Sequence, residues 1–124
     1  MNRYNVAVLV KNQFGVLNRL TSMFRRRQFN ISSLTASETE SAQFSRITFS
    51  FDGEEENKQQ LINQLYKLPD VCSIKELSSD NSVNCELMLI KMQNDQSTRT
   101  DIYAAAKAFS AETIDYSRES FVLR

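Results

Sequence analysis

No histidine occurs anywhere in the 124 residues. That removes the commonest general base, and with it the Ser-His-Asp and Cys-His arrangements of nucleophilic catalysis. A mixed Cys/His metal site is excluded, and the two cysteines, Cys72 and Cys85, lack the short spacing of a metal-binding pair. They read as buried free thiols, the usual place of unpaired cysteine. Glycine occurs only twice, and no phosphate-binding glycine loop is complete. A stand-alone enzyme is therefore not expected, and no catalytic residue or metal ligand is assigned. Charge imbalance is also absent, with 15 Lys+Arg against 15 Asp+Glu and a formal net charge of zero. That argues against a nucleic-acid partner, whose footprint is a basic surplus, and against electrostatic docking on an anionic membrane. No apolar run approaches the ~20 residues needed to span a bilayer. Met1 to Tyr4 lead straight into a strand pattern, so no signal peptide is expected. These absences predict a soluble cytoplasmic protein.

What is present is a chain that is 41% hydrophobic, enough for a core in one domain or one small domain plus part of another. Its most informative stretch runs from Val6 to Leu17. Tyr4 to Val10 is a strand apolar on both faces, the pattern of a central strand. From Gly15 the period changes: Val16, Leu17, Leu20, Met23 and Phe24 share one helical face. A strand feeding directly into a helix aims unpaired N–H groups at whatever sits over the turn. Gly15 leaves no side chain in the way, and Asn12 supplies an amide that both donates and accepts. This is a candidate small-anion site. The helix ends near Arg27-Gln28, where Arg25, Arg26 and Arg27 suit the negative end of its dipole.

Asn30 to Glu38 reads as a second strand and Phe44 to Phe51 as a third, with Ile47, Phe49 and Phe51 alternating inward, so the two form a hairpin. Asp52 reads as a helix N-cap, with Glu55 placed to complete a capping box. Leu61, Ile62, Leu65, Tyr66 and Leu68 form the buried stripe, and Pro69 stops the helix. Val71 to Leu77 is a fourth strand. The order βαββαβ, with right-handed crossovers, predicts two helices on one face of a four-stranded antiparallel sheet. The expected class is α+β, a ferredoxin-like domain over 1–78. One sheet face stays bare, to be covered in part by a second copy or the rest of the chain. A polar linker is expected over 79–84. Leu87 to Met92, Arg99 to Phe109, Ala111 to Tyr116 and Phe121 to Leu123 then repeat a partial βαββ over 85–124, with Ile102, Ala105, Ala106 and Phe109 on one helix face. This half ends short of the motif's last helix and strand. It is either truncated or completed by pairing with something else.

Several stretches resemble one family: Val8-Leu9-Val10-Lys11-Asn12 with Gly15-Val16-Leu17-Asn18-Arg19, Phe24 through Thr35, Phe44-Ser45-Arg46-Ile47-Thr48, Gln64-Leu65-Tyr66-Lys67-Leu68, and Glu86 through Lys91. The chain resembles the regulatory (small) subunits of acetolactate synthase, which carry an ACT domain. The resemblance implies a subunit without catalytic activity or cofactor of its own. It would activate a catalytic large subunit that uses thiamine diphosphate, Mg and FAD, and confer feedback inhibition by valine on branched-chain amino acid synthesis. It further implies a homodimer through the ACT domain, with valine at the junction. Position by position, Asn12, Gly15, Val16 and Leu17 would come from one protomer, and Asn30 and Ile31 from its partner. Phe14 stands where the family has a smaller residue or proline, and Lys11 where an acidic residue is common. An ACT-type sensor serving a different partner is the competing reading. A ferredoxin-like RNA binder would need aromatics on the bare sheet face, and Phe49 and Phe51 are assigned to the core.

Overall fold

The computed structural model describes residues 2–124, which divide into two compact units, one running to Val83 and the other from Asn84 to Arg124. The first holds β1 (Asn2–Lys11), α1 (Val16–Arg26), β2 (Ile31–Glu38), β3 (Phe44–Gly53), α2 (Glu55–Tyr66) and β4 (Val71–Leu77). The sheet order is β2-β3-β1-β4, with every neighbouring pair antiparallel. This is the α+β, ferredoxin-like βαββαβ arrangement. Each βαβ step returns its strand beyond a neighbour, so β1 and β3 are central while β2 and β4 form the edges.

Period-2 alternation on the central strands sets the core. Val6, Val8 and Val10 of β1 and Ile47, Phe49 and Phe51 of β3 are buried, together with Leu20 and Phe24 of α1 and Leu61 and Leu65 of α2. Both helices therefore cover one face. The Phe24 and Phe49 rings meet at 4.9 Å between centroids, in a tilted geometry that adds to simple area burial. The opposite face carries Ala7, Leu9, Thr48 and Lys75 around a shallow depression of about 440 Å³. Among the described residues, no helix is long and apolar enough to cross a membrane.

Three sequence expectations fail here for physical reasons. Tyr66, assigned to the buried stripe, is the last residue of α2 and is 60% exposed, while Lys58 is buried in its stead. Asp52 is not the cap of α2. β3 runs on to Gly53 because β1 continues to pair with it down to Asn2↔Gly53. Asp52 instead accepts from Arg3 at 2.9 and 3.1 Å and from Ser32 at 2.9 Å. Glu54 is the cap, and the reciprocal partner is Asn57, whose Oδ1 accepts the Glu54 N–H at 3.0 Å. Neither cysteine is buried. Cys72 is the extra residue of a β-bulge on the edge strand β4, where the register steps from Leu9↔Ser73 to Val10↔Val71. Cys85 lies in a segment with no regular structure.

The second unit holds β5 (Ile90–Gln93), α3 (Arg99–Ala108), β6 (Thr113–Tyr116) and β7 (Ser120–Leu123), in sheet order β5-β7-β6. That is the order β1, β3 and β2 take in the first unit. β5 begins three residues later than the apolar run from Leu87 predicts, and Leu87, Met88 and Leu89 are exposed. Phe121 is fully buried and its ring lies 5.5 Å from that of Tyr103. The expected apolar face of α3 has no buried residue, and Phe109, assigned to it, is 86% exposed just past the helix end.

Candidate functional site

The connection from β1 to α1 is tied down by backbone and side-chain hydrogen bonds. The Asn12 N–H donates to the Gln43 carbonyl at 2.8 Å, and the Asn12 side-chain amide donates to the Ala42 carbonyl at 3.1 Å. The loop is thus tied to the β2–β3 connection. Gly15 caps α1 at φ 81°, in the left-handed region that glycine adopts without strain. A Cβ there would sit 3.2 Å from Nη1 of Arg19. No side chain caps α1, and no acidic residue stands in its first turn. Among the described residues, the N–H groups of Leu17 and Asn18 have no acceptor. These free donors stand at the positive end of a helix dipole.

Arg19 holds this helix start in place. Its Nε and Nη2 both lie 2.7 Å from Oδ2 of Asp70, which is buried. The Asp70 carbonyl in turn accepts the Lys11 N–H at 2.9 Å. The charge pattern alone puts Arg19 on the solvated helix face, so sequence reasoning missed its anchoring role. The one available signal was Asp70 directly after Pro69 at the helix exit. Lys58 was missed as well. It stands one turn before Leu61 and Ile62, so the period already placed it on the buried stripe. Its Nζ bonds Glu55 at 2.6 Å and Glu76 at 2.9 Å, and lies 5.0 Å from the Tyr4 ring centroid. These two carboxylates, Glu55 first, hold the ammonium well above the usual lysine range.

The six sequence-predicted residues fall into two groups. Asn12, Gly15, Val16 and Leu17 come together at the β1–α1 loop, with Val16 buried and Leu17 exposed. Asn30 and Ile31 do not join them. Ile31 pairs with Phe51, which pairs with Tyr4, whereas Lys11 pairs with Phe44. The two groups are thus separated along β1 by the seven residue steps from Tyr4 to Lys11, roughly 23 Å at ~3.3 Å per residue. One protomer cannot close this site on itself.

β2 is an eight-residue edge strand, without proline and with Glu38 as its one charged residue. Its outer side has no strand partner among the described residues, and edges of this kind accept another strand. Pairing two β2 edges antiparallel, about a two-fold axis, lays the start of one β2 beside the end of the other. The end of β2 leads into the connection to which Asn12 is bonded.

Comparison with known proteins agrees with this architecture. The sequence model of a family described as "AHAS small subunit-like ACT domain" matches residues 6–73, and that of "Small subunit of acetolactate synthase" matches residues 85–124. The chain is 42% identical over 120 residues to the acetolactate synthase small subunit of Bacillus subtilis, covering 96% of this chain and 70% of that one. It is also 42% identical over 120 residues to the small subunit of Mycolicibacterium smegmatis, covering 97% and 71%. A crystal structure of the small subunit from Thermotoga maritima superposes with a TM-score of 0.81 at 29% identity, over 99% of this chain and 77% of that one. By sequence and by fold, the chain belongs to the acetolactate synthase small-subunit family.

Proposed function

We propose that this chain is a non-catalytic regulatory subunit that activates the thiamine-diphosphate-dependent catalytic subunit of acetolactate synthase and makes it sensitive to valine. The observation that carries the reading is the split site. Free N–H donors at the start of α1 lie at one end of the sheet, and Asn30 and Ile31 lie at the other. The two halves belong to one pocket only in a dimer joined at β2, and such a dimer has two equivalent pockets.

The chemistry suits a small branched amino acid. The carboxylate takes the N–H groups after Gly15, whose missing Cβ allows the approach. The ammonium takes the side-chain oxygens of Asn12 and of the partner's Asn30; with the Asn12 amide nitrogen bonded to Ala42, its oxygen is available. Leu17 and the partner's Ile31 form an apolar wall for the isopropyl group. Two or three charge-assisted hydrogen bonds contribute about 1.5–3 kcal/mol each, and the buried side chain about 1.5–3 kcal/mol. Set against the cost of association, this gives a dissociation constant of roughly micromolar to millimolar. That range suits sensing of a metabolite pool. Because one methylene is worth only about 1–3 kcal/mol, leucine and isoleucine should elicit weaker responses.

The deciding experiment is reconstitution with the catalytic subunit, assayed with and without valine. The chain should raise activity, and valine should lower it. Activity unaltered by this chain in both conditions would sink the reading.

A further inference from the structure

We infer that the open groove between the end of α1 and the outer flank of α2 is a docking surface for an acidic, partly apolar segment of the catalytic subunit. The identity of that partner rests on the regulatory reading above; the chemistry of the groove does not. Two concavities of about 410 and 400 Å³ run into one another here, sharing Arg26, Arg27 and Gln64. Lys67 extends the first, and Gln28 and Gln60 the second. No carboxylate lines either one. Among the described residues, Arg25, Arg26, Arg27 and Lys67 form no ion pair, while the nearby Asp70 is already taken by Arg19. In a chain of zero net charge this is a local excess of cations with no internal counterpart.

The floor is apolar, made by Met23 and Leu68 in the first concavity and Phe29 in the second. A segment carrying both carboxylates and aliphatic side chains matches floor and rim together. A small polyanion would match only the rim. The groove also has no buried, unsatisfied polar side chain to act as an anchor, the feature that marks an enclosed ligand site. Its rim consists of long exposed side chains, and such rims steer association more than they fix a small molecule.

A second observation falls on the same wall. α1 closes with the Gln28 N–H donating to the Arg25 carbonyl at 3.2 Å and the Phe29 N–H to the Phe24 carbonyl at 3.0 Å. This closure puts Gln28 at φ 57°, a position glycine usually fills. A glutamine there places a side chain on the wall of the groove where glycine would leave none.

The test uses the full chain, the catalytic subunit, and a labelled peptide of alternating Glu and Leu as a direct probe. Charge reversal at Arg26→Glu with Arg27→Glu should weaken binding of the catalytic subunit at least tenfold and flatten its salt dependence. Valine-induced thermal stabilisation should be unchanged, which shows that the fold and dimer persist. The peptide should bind the natural chain and shift backbone resonances of residues 25–29 and 60–67. Unchanged affinity of the reversed variant for the catalytic subunit overturns the proposal and leaves the regulatory reading intact. Peptide binding in the groove without any binding of the catalytic subunit overturns the proposal, because the catalytic subunit is then not the occupant. Resonance shifts with inorganic pyrophosphate but none with the peptide also overturn the proposal, in favour of a small-anion site.

Discussion

Two nitrogens of Arg19 converge on a single oxygen of Asp70, each at 2.7 Å, while the Asp70 backbone carbonyl accepts the N–H of Lys11. One residue thereby ties together the end of β1, the first turn of α1 and the start of β4. The loop from Asn12 to Gly15 lies inside this triangle, so its geometry depends on a pair that touches no ligand. Arg19→Ala leaves a buried carboxylate without its charged partner and should cost about 1–3 kcal/mol, read as a lower urea midpoint with an unchanged slope. Arg19→Lys restores charge without the fork and should recover only part of that loss. Both variants should need more valine for half-maximal thermal stabilisation.

Gly15→Ala tests the loop directly. The left-handed backbone costs an L-residue about 1 kcal/mol, and the new Cβ meets Arg19 at 3.2 Å. In the proposed site it would also narrow the approach of the effector's carboxylate. The expected result is a modest fall in melting temperature and a large loss of valine response, measured by thermal shift across a valine titration. A variant that melts lower but responds to valine as before would remove Gly15 from the site.

The first unit was legible because its central strands and α1 carry strong, distinct periods, whereas the weaker stripe of α2 misplaced Tyr66. Asp52 misled for a specific reason: Asp52 and Glu55 have the spacing of a capping box, yet pairing of β3 with Asn2 and Arg3 keeps the backbone extended through Gly53. A non-local ladder outweighed a local signal. The exposure of Cys72 was equally hidden, since a bulge arises from the register between two strands. Arg19 could not be distinguished from its solvated neighbours without knowing where Asp70 lies. In the second unit, the run Leu87-Met88-Leu89-Ile90 has the composition of a strand, but only Ile90 finds a ladder partner. The split of the candidate site between two ends of the sheet follows from strand order, which the motif βαββαβ already implied.

Acid should destabilise the first unit through two groups. The Asp52 carboxyl is held below its usual range by hydrogen bonds from Arg3 first and Ser32 second, and that of Glu55 by Lys58 first. A depressed folded pKa means that the unfolded chain binds more protons near pH 4. Both contributions are therefore present above about pH 4, the ordinary carboxylate range, and are lost as pH falls through the lower folded values. Lys58 is shifted the other way, so its contribution holds below about pH 10 and declines as pH rises further. Urea midpoints should be level across neutral pH and fall in acid. Asp52→Asn should lower the midpoint modestly at neutral pH and make the acid limb shallower, so that the variant and the natural chain converge in acid.

The core predicts a larger effect at a single position. Phe49 is 1% exposed and packs between the Phe24 and Phe51 rings, at 4.9 and 6.3 Å. Phe49→Ala removes the centre of this stack and should cost about 3–5 kcal/mol, enough to unfold many domains of this size at 37 °C. Phe49→Leu keeps most of the volume and should cost less. Urea denaturation of the two variants, followed by far-UV circular dichroism, checks the order.

A split site makes a prediction that a site within one chain does not. In a two-fold dimer joined at β2, each pocket takes Asn12 to Leu17 from one protomer and Asn30 with Ile31 from the other. A dimer of Gly15→Ala chains has two damaged pockets, and so has a dimer of Ile31→Ala chains. In a mixed dimer, one pocket carries both substitutions and the other carries neither. Co-refolding equal amounts of the two variants should therefore restore valine binding in about half of the dimers, with one natural-affinity site in each, as free random assortment requires. Isothermal titration would then show about a quarter of the natural number of tight sites, although neither parent shows any. No recovery on mixing, with subunit exchange verified by tagged chains, would place both groups of residues outside a shared pocket and return the search to a single protomer.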